Sequence, residues 1–546
     1  MDTDKKSEEV TVDDILSILG PFGKFNIYNF ILILFPVFLA GMYSSVYNFE
    51  SMDLDYRCAV PECGDDPSSI NFTIPHDTDG TPYKCIRYAT FTNASYTNDT
   101  CSPEHFDSSN EILCDSYVYF EDHSIVKEFN LACQDWKRSL VGTVHNAGFF
   151  VAIPLAGLLS DKYGRRLAIV FAAVTSGIFG VIRALAVNYE MFVVFEFLEP
   201  AFGGGVYTAS FVLALELVGP KGRVFVSLLF NTMFILGGVT VTLLYWWLQN
   251  WRYLLFIIYT PSVFVIIYMW TLTESFRWFF SKGRYEEALN VLSKSEKINN
   301  AYISKDHYDQ VEKQATKQRD ARKCESLESN QSSFKQVLTS LMIWKRLFIC
   351  SFLWISSTLV YYGLSINAIE LSGNSYVNYI VIIIIEAPAN VCKLIFLDRY
   401  GRKRVIAIAY FLAAVILVTY GFVPAGTWSL IVYLGGKFFI TLAYNSLYVF
   451  AAEVFPTNYR TTLLAICSTI GRTGSTVAPQ TPLLARYYDN LPTILFGVMA
   501  GLSSFLVLTL PETNNMKLPD SLKEAQDQDR APRDSEDKTT VTKTSL

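Results

Sequence analysis

The residues of this sequence with chemistry to do are charges placed inside apolar runs. Glu386, Lys437 and Arg472 each stand in a run long enough to cross a bilayer, and Glu196 and Glu199 stand in another. A charge at bilayer depth costs about 2.5–3.5 kcal/mol on insertion scales, so each of these must face a cavity or a partner. Arg472 lies about ten residues, roughly 15 Å, into its run, and Glu386 about twelve, roughly 18 Å, from Asp398 at the end of its own. Both therefore reach the midplane, where carrier sites of this kind usually sit. A guanidinium there can grip a carboxylate through two parallel hydrogen bonds, whereas an ammonium cannot. One positive and one negative group at similar depth suit a small ion that carries both charges. Trp354, Tyr361, Tyr362 and Tyr444 could supply faces for its cationic end, since an aromatic ring attracts an ammonium within about 6 Å. The alternative for all these residues is structural: ion pairs between helices for the charges, core and interfacial packing for the aromatics. Lys437 and Glu199 fall at similar heights and could form such a pair.

The elements that must position these groups follow from composition and hydropathy. The chain has 546 residues, 51% hydrophobic and 15% aromatic, with only 18% charged, where a soluble chain carries about 25%. Twelve apolar runs of about twenty residues explain the deficit, near 27–47, 139–160, 168–188, 191–216, 224–248, 253–273, 346–366, 375–397, 404–423, 428–450, 462–485 and 492–510. The expected fold is an all-α membrane protein. Its parts are an N-terminus (1–26), a six-helix bundle (27–273), a linker with short amphipathic helices (274–345), a second six-helix bundle (346–510) and a polar tail (511–546). The first bundle includes a long loop, 48–138.

That loop holds six of the ten cysteines, Cys58, Cys63, Cys85, Cys101, Cys114 and Cys133, and three glycosylation sequons, Asn71, Asn93 and Asn98. Together they place the loop outside the cell as a disulfide framework, with all fifteen pairings open. Lys and Arg crowd the opposite ends of the runs, which puts both termini in the cytosol by the positive-inside rule.

The chain is also duplicated. Asp161-Lys-Tyr-Gly-Arg165-Arg recurs as Asp398-Arg-Tyr-Gly-Arg402-Lys, and the pair Glu216 and Arg223 recurs as Glu453 and Arg460, both 237 residues on; Glu274 answers Glu512. Six spans plus six in the same orientation give two pseudo-symmetric bundles. Asp161, Arg165, Glu216, Arg223, Asp398, Arg402, Glu453 and Arg460 then form two repeated latches at one face, suited to gating.

These motifs carry a resemblance. Gly157-Leu-Leu-Ser-Asp-Lys-Tyr-Gly-Arg-Arg166 resembles the loop motif of the major facilitator superfamily. The cysteine-rich loop, Tyr361-Tyr-Gly-Leu364, Gly436-Lys-Phe438, Ala452-Glu-Val-Phe-Pro-Thr457 and Pro511-Glu-Thr513 make the chain similar to the organic cation, anion and carnitine transporters within it. The resemblance implies the major facilitator fold, transport of a small organic ion by alternating access, and a plasma-membrane location. The position of Arg472 is typically Arg in members handling carboxylate-bearing substrates and Asp in organic-cation members, while Glu386 looks like the acidic residue of cation carriers. A zwitterion or amine conjugate is the first expectation; an organic anion is the second, and a sugar-type facilitator or a receptor lies beyond it. Thr273-Glu-Ser-Phe-Arg-Trp278 departs from the family's usual Pro-Glu-Ser-Pro-Arg-Trp run.

Other classes lack support. No phosphate loop, His-Glu-x-x-His pair or Gly-x-Ser-x-Gly elbow occurs, so no catalytic residue, metal or cofactor is expected. A net charge of −6 argues against nucleic acid. The expected partners are the organic ion, a co-transported or exchanged ion, and the lipid bilayer. His145, on the second span, has no candidate ligand nearby in sequence and reads as a packed or cavity-lining residue.

Overall fold

A computed structural model describes residues 23–64, 67–77, 80–91, 101–219, 222–300, 340–371, 373–424, 426–456 and 459–513. Asn93, Asn98, the tail from 514 and the middle segment 301–339 lie outside the described residues. Twelve long helices follow from the apolar runs: α1 (Lys24–Glu50), α2 (Asp135–Tyr163), α3 (Arg165–Ala184), α4 (Tyr189–Glu216), α5 (Arg223–Leu248), α6 (Trp251–Thr271), α7 (Leu341–Glu370), α8 (Ser375–Tyr400), α9 (Arg402–Tyr420), α10 (Thr427–Val454), α11 (Arg460–Val477, continued as a 3₁₀ stretch over Ala478–Arg486) and α12 (Leu491–Leu508). Eleven of them are long and apolar enough to span a membrane; α11 falls short because Arg472 sits in it among Ser, Thr and Gly.

The chain divides into two compact units, one of Lys24–Leu217 with Arg223–Ser275, the other holding Phe276–Leu546 with 218–222. Each packs its helices alike. In the first, α1 lies on α5, α2 on α4, and α3 on α4 and α6; in the second, α7 lies on α11, α8 on α10, and α9 on α10 and α12. These helix pairings in one unit therefore reappear six helices later in the other.

Two glycines at the repeat offset permit close backbone approaches in both units. A Cβ on Gly237 of α5 would meet the Phe38 carbonyl oxygen of α1 at 2.2 Å, and one on Gly474 of α11 would meet the Ile355 carbonyl oxygen of α7 at 2.3 Å. Small residues let membrane helices pack backbone to backbone, where dispersion replaces the hydrophobic drive.

The loop after α1 is a small disulfide domain and not helix alone. Strand β1 (Tyr56–Cys58) pairs antiparallel with β4 (Tyr117–Tyr119), Tyr56 opposite Tyr119, and β2 (Ile86–Thr90) pairs with β3 (Phe106–Leu113), with a register shift between Tyr88 and Ala89. The disulfides are Cys58–Cys114, Cys63–Cys101 and Cys85–Cys133, which resolves the open pairing. Asn71 is exposed, as an acceptor must be. The domain is seated on the bundle: the Trp251 indole N–H donates to Glu128 at 2.8 Å, Arg252 pairs with the same carboxylate, and the Tyr245 hydroxyl donates to the His123 carbonyl at 2.9 Å.

Candidate substrate site

The expected site residues of the second unit cluster around α7. Helix α8 breaks at Ile385, between Ser375–Ile384 and Glu386–Tyr400, because Pro388 has no N–H to offer the Ile384 carbonyl. Glu386 stands at that break. Its Oε1 accepts the Tyr361 hydroxyl at 2.5 Å and pairs with Lys437 Nζ at 3.0 Å. Lys437, on α10 and fully buried, also donates to Ser365 Oγ at 2.7 Å and to the Tyr361 carbonyl at 3.1 Å. Its ammonium lies 3.3 Å from the Tyr361 ring centre. Lys437 thus takes its partner from its own unit, and the acidic residue expected to attract cations already has one oxygen committed.

From Glu386 a run of tyrosines leads to Arg472. Tyr361 packs against Tyr362 and Tyr444, with ring centres 5.1 and 5.4 Å apart. The Tyr444 hydroxyl faces that of Tyr448 at 3.5 Å, and Trp354 lies edge-on to Tyr448 at 4.2 Å. Arg472 is partly buried, with Tyr362 as a hydrogen-bond partner and Tyr444 and Tyr448 as electrostatic neighbours. Thr358 Oγ1 donates to the Gly471 carbonyl at 2.6 Å, which with Gly474 fixes α11 against α7 and so fixes Arg472. All seven expected binding residues belong to this one assembly. Tyr448 and Ser365 were missed; each is one helical turn from an expected residue, Tyr444 and Tyr361, and that spacing was the available signal. The Trp354 indole nitrogen is buried and has no hydrogen-bond partner among the described residues.

The two latches repeat residue for residue. Arg165 pairs with Asp161 at 2.8 Å and Glu216 at 3.1 Å; Arg402 pairs with Asp398 at 2.9 Å and Glu453 at 3.3 Å. Glu274 accepts the backbone N–H groups of Arg165 and Arg166, each at 3.0 Å, and Glu512 accepts those of Arg402 and Lys403 at 3.0 and 3.3 Å. A carboxylate at a helix N-terminus satisfies orphan donors and meets the positive end of the dipole. Gly164 and Gly401, at φ 107° and 93°, make the turn that exposes those donors. Arg223 and Arg460 open α5 and α11; Nε and Nη2 of Arg460 are buried without a hydrogen-bond partner among the described residues.

His145 is buried and packed against Tyr47 and Phe149, as expected, but it also has an unforeseen partner. Its Nδ1 lies 2.8 Å from Glu196 Oε1, a partner 51 residues away that local sequence could not reveal. Glu196 also pairs with Arg183, which in turn pairs with Glu50 at 3.0 Å. Glu50 and Arg183 were not singled out: Glu50 fell beyond the expected end of the first span, and Arg183 was passed over near the end of the third. Among the described residues, no group of His, Cys, Asp and Glu is arranged to hold a metal.

Two repeated six-helix units, each latched at one end, with a charged and aromatic cluster inside a membrane helix bundle, define a multi-pass membrane carrier. The Sugar (and other) transporter family matches residues 81–521, and the chain belongs to that family. It is 29% identical over 535 residues to the organic cation transporter protein of Drosophila melanogaster, covering 95% of both chains. It is 29% identical over 528 residues to human organic cation/carnitine transporter 2, covering 93% of both. Among solved structures, the xylose transporter XylE from E. coli in its inward-open conformation matches 94% of this chain and 99% of its own, at a TM-score of 0.58 and 16% identity. That likeness shows the fold to be that of the major facilitator superfamily.

Proposed function

We propose that this protein carries small organic cations and carnitine-like zwitterions across the plasma membrane by alternating access, with both termini in the cytosol and the disulfide domain outside. The observation that carries the reading is the tyrosine run joining the Glu386–Lys437 pair to Arg472. A carboxylate end would take the Arg472 guanidinium through paired hydrogen bonds, and an ammonium end would lie on the faces of Tyr361, Tyr362 and Tyr444. The relatives named for organic cations and carnitine support the same class. The latches would favour whichever conformation forms them.

Uptake of labelled carnitine and tetraethylammonium into proteoliposomes tests this. Arg472→Ala is expected to weaken carnitine uptake by about 10- to 100-fold, the loss of one charge-assisted contact, and to spare tetraethylammonium. Equal loss of both, or of neither, would remove Arg472 from substrate recognition. A second reading, a simple organic anion, is favoured by one observation: Glu386 is engaged by Lys437 and so is less available to a cation. Uptake of a monocarboxylate that ignores Lys437 and depends on Arg472 would support it.

A further inference from the structure

The first unit contains a second charged cluster that the substrate reading does not use. Glu50 of α1, His145 of α2, Arg183 of α3, and Glu196 and Glu199 of α4 are all at most 2% exposed. Tyr43 and Tyr259 close it, with rings stacked 4.5 Å apart and the Tyr259 hydroxyl 3.1 Å from Arg183 Nη2. Three carboxyl groups therefore face one guanidinium. Even with a protonated imidazole, one negative charge is left over in a site sealed from water. An unbalanced buried charge of that kind is far costlier than a neutral group.

Glu50 Oε2 and Glu199 Oε2 are both buried without a hydrogen-bond partner among the described residues, and it is pairing with Arg183 that tells the two carboxyl groups apart. Glu50 and Glu196 each pair with Arg183, and Glu196 also engages His145. Glu199 has no guanidinium partner among the described residues. Its Oε1 accepts Ser176 Oγ at 2.5 Å, and its Oε2 is buried without a hydrogen-bond partner, 4.0 Å from His145 Nδ1.

The repeat supplies an internal control. At the 237-residue offset, Arg183 and Glu196 correspond to Tyr420 and Tyr433, whose rings pack 5.4 Å apart; His145, Ser176 and Glu199 correspond to Ile382, Ala413 and Gly436. At these equivalent positions the second unit carries no charge, and its α8–α10 contact takes an ion pair at other positions, Glu386 and Lys437. Charge at these positions is therefore not required for packing, since apolar replacements of buried ion pairs are often neutral or stabilising.

We propose that this cluster is a proton-binding site that couples proton movement to organic-ion transport, with Glu199 as the group that takes the proton. A proton from water on one side forms an O–H bond at Glu199 Oε2 and is returned to water on the other. The imidazole of His145 is the adjacent relay. The coupling half of this proposal rests on the transport reading above; the proton site itself does not. A guanidinium at the centre disfavours a sodium ion in the same place.

The test uses the full-length protein in sodium-free proteoliposomes with the membrane potential clamped. For one proton per substrate, steady-state accumulation of labelled carnitine should rise about tenfold per unit of imposed pH gradient. Glu199→Gln should abolish this dependence while carnitine counterflow, which needs no net proton movement, continues; Glu199→Asp should keep it. Counterflow with accumulation indifferent to pH, or driven by sodium instead, overturns the coupling. Loss of counterflow in the unaltered protein overturns the substrate reading instead. Proton binding is read separately by infrared difference spectroscopy: a protonated-carboxyl band should vanish on alkalinisation and be absent in Glu199→Gln. A band that persists in that variant overturns the site.

Discussion

Lys437 and Glu386 show how much a single pairing decides. With Lys437 fully buried and its charge satisfied by one carboxylate oxygen, removing it strands a carboxylate inside the bundle. Breaking such a pair typically costs about 3–5 kcal/mol, whereas removing both members of a buried pair costs less. Lys437→Met should therefore lower thermal stability markedly in detergent, and adding Glu386→Gln should recover most of the loss. In whatever folded fraction of Lys437→Met remains, the freed carboxylate should shift uptake toward tetraethylammonium and away from carnitine. At this scale the sequence was legible in residue type and depth and illegible in partnership. Glu386, Lys437 and Arg472 stand out because charge is rare in an apolar run. Which acid meets which base depends on helix rotation, which has no local signature, and on the break at Ile385, which Pro388 marks without saying what Glu386 will meet there. Glu196 and His145 meet across 51 residues for the same reason.

Helix ends were read more fully. The twelve apolar runs recover α1 to α12 to within a few residues, because hydropathy and the bilayer thickness fix both the number and the length of the spans. The exceptions are informative. Helix α1 runs three residues past its expected end, to Glu50, because burial against Arg183 satisfies a residue that composition assigns to a loop. The disulfide domain hid its strands, since short hairpins among Gly, Pro and Asn carry little periodicity. Helix contacts leave a sharper test. Gly474→Ala would drive a methyl into the Ile355 carbonyl and should cost about 1–3 kcal/mol, with loss of transport as α11 is pushed off α7. Gly501→Ala on α12 meets only Ala414 Cβ at 3.7 Å and should be tolerated, so thermal unfolding of the two variants side by side isolates the close approach.

Across the whole molecule, the duplication separates framework from function. Latches, caps, close-contact glycines and helix pairings recur in both units, whereas Arg472, Lys437 and Glu386 occur in the second unit only, opposite Ile235, Pro200 and Phe149 in the first. The buried network of Arg183 breaks the repeat in the other direction. Since Glu274 and Glu512 cap equivalent helices in separate units, Glu274→Ala and Glu512→Ala should each lose about 0.5–2 kcal/mol. The double variant should show the sum within about 0.5 kcal/mol; a larger departure in the measured unfolding energies would mean that the units do not behave independently. The seating of the disulfide domain has a practical consequence of its own. Three cross-links and the footing on Glu128 and His123 make it a stiff knob fixed to the first unit. An antibody fragment gripping that knob would act as a fiducial, giving a protein otherwise hidden in its detergent belt a visible orientation in electron images.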